Sequence, residues 1–146
     1  MRQSSIKKIM DWLAGIPAAL LSMLTTLLIL WLTLSPDPLG PDSPRLFPGA
    51  DKVAHALMFG FLTVMILLDY VRKTQWRPVK PRIVVGAAAC STILGCIIEV
   101  VQREMAMGRG FEYTDMLADF IGAAICAVGW IMVINPLLKR LIDKSN

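Results

Sequence analysis

From Trp12 to Leu34 the chain runs without one charged side chain. At about 1.5 Å of rise per residue, a helix of that length reaches across a hydrocarbon core of ~30 Å. Three more apolar segments follow, at about 53–71, 83–101 and 115–134. Composition agrees, with 55% hydrophobic and 18% charged residues and a mean hydropathy of +0.60, against roughly 45–50% apolar residues in soluble domains. The pattern predicts an all-α, polytopic membrane protein, a bundle of four transmembrane helices over about 12–34, 53–71, 83–101 and 115–134, with residues 1–146 forming a single membrane domain.

The net charge of +4 does not point to nucleic acid, because the basic residues fall in short clusters between apolar segments and read as topology signals. Arg2, Lys7 and Lys8 precede the first segment, Arg72, Lys73, Arg77, Lys80 and Arg82 lie between the second and third, and Lys139, Arg140 and Lys144 end the chain. The opposite connections hold only Arg45, Lys52, Arg103 and Arg109. The positive-inside rule then puts both termini in the cytoplasm of a multi-pass protein of the cell membrane. The basic start resembles a secretory signal, but such signals have apolar cores of about 7–15 residues and a small-residue cleavage site. A retained anchor is expected, with cleavage after the Thr33-Leu34-Ser35 stretch as the alternative. Pro17 falls in the first turns of its segment, where proline disrupts least.

Cys90, Cys96 and Cys126 all lie within apolar segments and read as small packing residues without a disulfide framework. The proline-rich stretch from Ser35 to Ala50 reads as a stiff external connection. No phosphate-binding glycine loop, dinucleotide fingerprint or nucleophile elbow occurs.

Acidic residues carry the functional signal. Asp11, Asp69 and Asp143 fall on the cytoplasmic side, and the remaining acids on the outer side. Glu99 is expected roughly 24 Å along a helix crossing a ~30 Å core, in its outer part. Asp119 sits one turn inward of Asp115, and His55 one turn inward of Asp51, so three helices present polar groups at about the same depth. Helical spacing places Ala88, Ser91, Gly95, Glu99 and Gln102 on one small or polar face, and Asp115, Asp119, Gly122, Cys126 and Gly129 on another. The 53–71 segment shows no such small stripe, but His55, Phe59, Leu62, Ile66 and Asp69 share a side that should turn inward, since ionisable groups avoid lipid. His55 is thus expected to line an outward-facing polar pocket.

Structural roles compete with functional ones. Asp51 suits an N-cap, Thr114 and Asp115 suit a cap and a first-turn acid, and Asp69 with Arg72 and Lys73 suits an interfacial ion pair. Glu99 and Asp119 are harder to assign to structure, because an intramembrane carboxylate costs roughly 2.5–3.5 kcal/mol on insertion scales.

The stretches "DKVAHALMFGFL" at 51–62 and "IEVVQREMAMGRGFEYTDMLADFIGAAI" at 98–125 resemble the VanZ-like family of small bacterial membrane proteins. The shared pattern is an Asp-Lys-x-x-His opening, a Glu-x-x-Gln at a helix end, and a downstream Arg, Asp and Asn or Asp before a Gly. Here these are Asp51, Lys52, His55, Glu99, Gln102, Arg109, Asp115, Asp119 and Gly122, within about 48–130. Many relatives have Asn where this chain has Asp119. The resemblance implies an envelope role, the family being named for a protein linked to low-level teicoplanin resistance.

Three mechanisms are open. In the first, Lys52, Arg103 and Arg109 attract a phosphate or carboxylate headgroup while Glu99, Gln102 and Asp119 hold polar groups below it. Asp51, His55 and Asp115 complete that expected binding set, with membrane lipids and a lipid-linked envelope precursor as partners. In the second, an intramembrane enzyme uses His55, Glu99 and Asp119 as candidate catalytic groups, or His55, Glu99, Asp115 and Asp119 surround a divalent cation, although no cofactor is otherwise expected. The third, an ion pathway, meets little polar continuity beyond Asp69 in the inner halves of the helices.

Overall fold

A computed structural model describes residues 2–35, 47–105 and 112–143. Among them every regular element is helical: α1 Arg2–Ala14, α2 Leu20–Leu34, α3 Ala50–Lys73, α4 Pro81–Glu104, α5 Tyr113–Gly129, a π-helical turn Trp130–Ile134, and α6 Asn135–Asp143. Helices α3 and α4 and the continuous run Tyr113–Asp143 are long and apolar enough to cross a membrane. Many large apolar side chains face outward, among them Val85, Ile93, Val100, Phe120, Ile125 and Met132. A lipid environment makes that surface favourable, where water would penalise it.

The first apolar segment departs from the expected 12–34 span. It breaks between Ala14 and Leu20, and α2 keeps only 15 residues, about 22 Å of helix. Pro17 lies not in the first turn but between two helices, where its missing N–H and fixed φ stop helix propagation. Ala19 completes the break in a left-handed conformation with φ of 61°. The other three spans are longer than expected at both ends, and the last passes through the π turn into α6. The π turn precedes Pro136, whose ring would otherwise press on the carbonyl four residues back; the Asn135 N–H instead reaches the Trp130 carbonyl.

Two broken helix ends need partners, and α3 supplies both. The Asp69 Oδ2 accepts from the Ser22 N–H at 2.9 Å and from the Ser22 hydroxyl at 2.8 Å. The Arg72 guanidinium donates to the Leu13 carbonyl at 2.9 Å and to the Pro17 carbonyl at 3.3 Å, and also pairs with Asp69. Each charge sits at the helix end whose dipole it complements: the acid at the start of α2, the base at the end of α1. The ion pair expected of Asp69 is therefore a buried clasp with Arg72, while Lys73 is exposed.

Between this end and the opposite one the core is layered. Leu67, Val71, Val84, Ala127 and Trp130 form one apolar cluster, and Ile29, Phe59, Leu62 and Ile98 another. The Thr63 hydroxyl donates to the Ser91 hydroxyl at 2.9 Å, joining α3 to α4. At the far end the Gln102 amide donates to the Thr33 carbonyl at 2.8 Å and ties α4 to the last turn of α2.

Removing one partner of a buried ion pair costs about 3–5 kcal/mol. Asp69→Ala is expected to lower stability in detergent by an amount of that order, read as a lower thermal midpoint, and Lys73→Ala to leave the midpoint almost unchanged. Equal midpoints for the two variants would refute the clasp.

Candidate functional site

Backbone contact between α3 and α5 builds the site. A Cβ on Gly122 would lie 1.9 Å from the Ala56 carbonyl oxygen, and one on Gly60 would lie 2.9 Å from the Gly122 carbonyl oxygen. No side chain fits between them. Ala56 and Gly60 are the small pair that the sequence analysis did not find on this helix, and they meet the Gly122 and Cys126 positions of α5. The stripe expected on α5 thus turns partly toward α3, and Gly129 at its far end meets nothing within 4 Å.

His55 immediately precedes Ala56, and Asp119 lies three residues before Gly122, so the same contact brings their side chains together. His55 Nδ1 stands 2.9 Å from Asp119 Oδ1. With the carboxylate ionised and the imidazole neutral, this pairing puts the ring proton on Nδ1 and leaves the Nε2 lone pair free. The Phe59 ring stacks against the imidazole with centroids 6.2 Å apart and closes the site from the apolar core. Asp119 is fully buried because Gly95 of α4 makes room for it: a Cβ there would come within 2.2 Å of Asp119 Oδ2. The two small or polar faces do meet at this point.

Glu99 is 1% exposed. Its Oε2 accepts from the Glu112 backbone N–H at 3.3 Å, while Oε1 has no hydrogen-bond partner among the described residues. Asp115, in the first turn of α5, places Oδ2 3.9 Å from His55 Nε2. Above them Lys52 Nζ contacts Glu112 at 2.8 Å, Asp51 at 3.0 Å and Asp115 Oδ1 at 3.2 Å. The last contact is an ion pair without hydrogen-bond geometry, which is why Asp115 Oδ1 is also unpartnered.

His55, Glu99 and Asp115 each offer a ligand atom within 4.8 Å of the others, as do Asp51, Glu112 and Asp115. The Lys52 ammonium already lies among the second group. The first group has no ammonium between its members, although Lys52 also touches its Asp115.

Of the expected binding residues, Asp51, Lys52, His55, Glu99, Asp115 and Asp119 therefore gather at one end of the bundle. Gln102 is turned to α2, Arg103 is exposed, and Arg109 lies outside the described residues. Asp51 and Thr114 are not caps: α3 starts at Ala50 after Gly49, α5 starts at Tyr113 after Glu112, and neither helix has a side-chain cap. Glu112 is a participant that the sequence analysis passed over, because α5 was expected to begin at Asp115. Its only sequence signal was an acid just ahead of an apolar helix.

A family model described as VanZ/LLP1 matches residues 16–135. The chain belongs to the VanZ/LLP1 family. This match is wider than the 48–130 resemblance, running from the break between α1 and α2 to Asn135, and it takes in Ser22, Asp69 and Arg72 of the clasp as well as the polar cluster. The VanZ/LLP1 assignment and the three long apolar helices together make the chain a membrane protein of that family. No curated protein and no solved structure matches it.

A methyl group at Gly122 must drive α5 from α3, and overpacking of this kind costs about 1–3 kcal/mol or more. Gly122→Ala is expected to lower the thermal midpoint, whereas Gly86→Ala, at a position with open space around it, should hold or raise it, helix propensity adding up to about 1 kcal/mol of stability. Reversal of that order would remove the close approach as the organising contact.

The Lys52 ammonium beside Glu112 holds that carboxyl below its ordinary value of 4.5. A depressed folded value means a contribution present above the unfolded value and lost as pH falls through the folded one. The Lys52–Glu112 contact is expected to persist at about pH 5 and open in stronger acid. Carboxyl NMR should give Glu112 a midpoint below that of a model glutamate, and a midpoint at or above it would contradict the contact.

Proposed function

We propose that this VanZ/LLP1 protein acts in the bacterial cell envelope by binding the polar headgroup of an envelope lipid, or a peptide carried on one, in an outward-facing pocket at the His55 end of the bundle. The observation that carries this reading is the set of buried groups left with spare hydrogen-bonding capacity, Glu99 above all, at the end of three helices. Buried polar groups normally find partners, and those that do not mark a place where something else supplies them. Glu99, Asp115 and Asp119 are acceptors, which suits hydroxyl or amine groups of a headgroup, and Lys52 at the rim would have to exchange one of its three acids to meet a phosphate or carboxylate.

A second reading, an intramembrane enzyme acting on a lipid-linked substrate, is favoured by one feature. Asp119 orients His55 through Nδ1 and leaves Nε2 as a base, the arrangement that general-base catalysis needs.

Native mass spectrometry of gently extracted protein tests the proposal. Wild type is expected to retain an envelope lipid or lipid-linked species, and a Glu99→Gln/Asp115→Asn double variant to lose it with its thermal midpoint within a few degrees of wild type. Equal retention by both, or none by either, refutes the pocket. Loss of turnover without loss of retention in His55→Ala would support the enzymatic reading.

A further inference from the structure

The most informative gap in the molecule is the one between His55 Nε2 and Asp115 Oδ2. At 3.9 Å it is too long for a hydrogen bond. In the neutral tautomer with its proton on Nδ1, the gap has acceptors on both sides and no donor between them. Glu99 closes the third side, 1% exposed and with Oε1 unpartnered. Lone pairs facing one another in a buried space repel unless a proton, a bridging water or a cation sits between them.

The spacing suits a metal ion. Two atoms that each bond one ion at about 2.1 Å stand up to about 4.2 Å apart, according to the angle at the metal. The ligand atoms of His55, Glu99 and Asp115 lie within 4.8 Å of one another, so a small inward adjustment of one carboxylate completes a three-sided site with its fourth position toward the rim. Metal-ligating histidines usually give their other ring N–H to a carboxylate, which fixes the tautomer and raises ligand basicity. The Asp119–His55 bond has that form, and Gly95 leaves the space that the Asp119 carboxylate occupies. Charge agrees as well. Glu99, Asp115 and Asp119 gather around the neutral imidazole with Lys52 as the only described cation beside them.

We infer that His55, Glu99 and Asp115 form a binding site for a divalent cation, with Asp119 as the positioning residue for His55. One imidazole nitrogen with two carboxylates selects Zn²⁺ or Mn²⁺ over Mg²⁺ and Ca²⁺, which prefer all-oxygen shells. The inference deepens the reading of this cluster as a ligand site, and it places the cation where it would meet a headgroup phosphate entering from the rim. Lys52 competes with it for Asp115.

The test uses the full-length chain in detergent without added lipid, stripped with chelator, dialysed and titrated with Zn²⁺, Mn²⁺ or Mg²⁺. Wild type is expected to bind one Zn²⁺ or Mn²⁺ per chain and Mg²⁺ much more weakly. His55→Ala and Glu99→Gln should abolish stoichiometric binding, Asp119→Asn should weaken it by about 10- to 100-fold, and Lys52→Met should strengthen it. Undiminished binding in both His55→Ala and Glu99→Gln, or no binding by wild type, overturns the inference. Should those variants fail to fold, Co²⁺ added to stripped wild type decides, because visible d–d bands that Zn²⁺ abolishes support the site and their absence removes it. Lipid retention is read separately by mass spectrometry, so a chain that keeps its lipid but binds no metal loses this inference alone. One that binds metal but retains no lipid loses only the headgroup proposal.

Discussion

The arrangement of the polar end depends on the contact of two backbones. Where Gly122 meets the Ala56 carbonyl, α5 and α3 have no freedom to rotate or slide without collision. In lipid no hydrophobic drive holds helices together, so close van der Waals packing through small residues has to do so. Once depth and phase are set there, His55 and Asp119 fall opposite each other, and Asp115, one turn further along, falls opposite Lys52. Gly95 extends the same logic to α4, its missing side chain being the space that the Asp119 carboxylate fills.

The two ends of the bundle treat buried charge in opposite ways. At one end Asp69 and Arg72 spend their hydrogen bonds on each other and on the exposed backbone groups of a broken segment. That end pairs its acid with its base and leaves one guanidinium nitrogen, Arg72 Nε, without a partner among the described residues. At the other, Glu99, Asp115 and Asp119 each retain an oxygen without a hydrogen-bond partner, and one cation is shared among three acids. Similar residue types therefore have different consequences. A charge-balanced network rigidifies, whereas one with acids in excess retains affinity for something not yet bound.

Much of this was legible in the sequence, and the limits have physical reasons. Apolar length revealed the three long helices, and the i, i+4 spacing of Gly95 with Glu99 and of Asp115 with Asp119 revealed that α4 and α5 would join polar faces. Hydropathy could not reveal the break in the first segment, because Gly15, Pro17 and Ala19 leave a run as apolar as an unbroken helix. The cost of that break is met by Asp69 and Arg72 on another helix, a pairing that local spacing does not encode. The Ala56–Gly60 pair escaped notice beside the larger signal of His55 and Phe59. Gln102 was grouped with the site by phase, but its long side chain reaches the neighbouring helix end instead.

The shortness of α2 has a consequence for the lipid around the protein. Its first turn is held at Ser22 by Asp69 and its last at Thr33 by Gln102, so both ends are anchored to the bundle and it cannot lengthen its apolar stretch. A helix of about 22 Å beside a hydrocarbon core of ~30 Å is a mismatch that bilayers relieve by thinning locally. On that flank headgroups would be drawn toward the midplane, shortening the path from the interface to Glu99. A short helix seated in the bilayer at that position would thus thin the membrane next to the polar end.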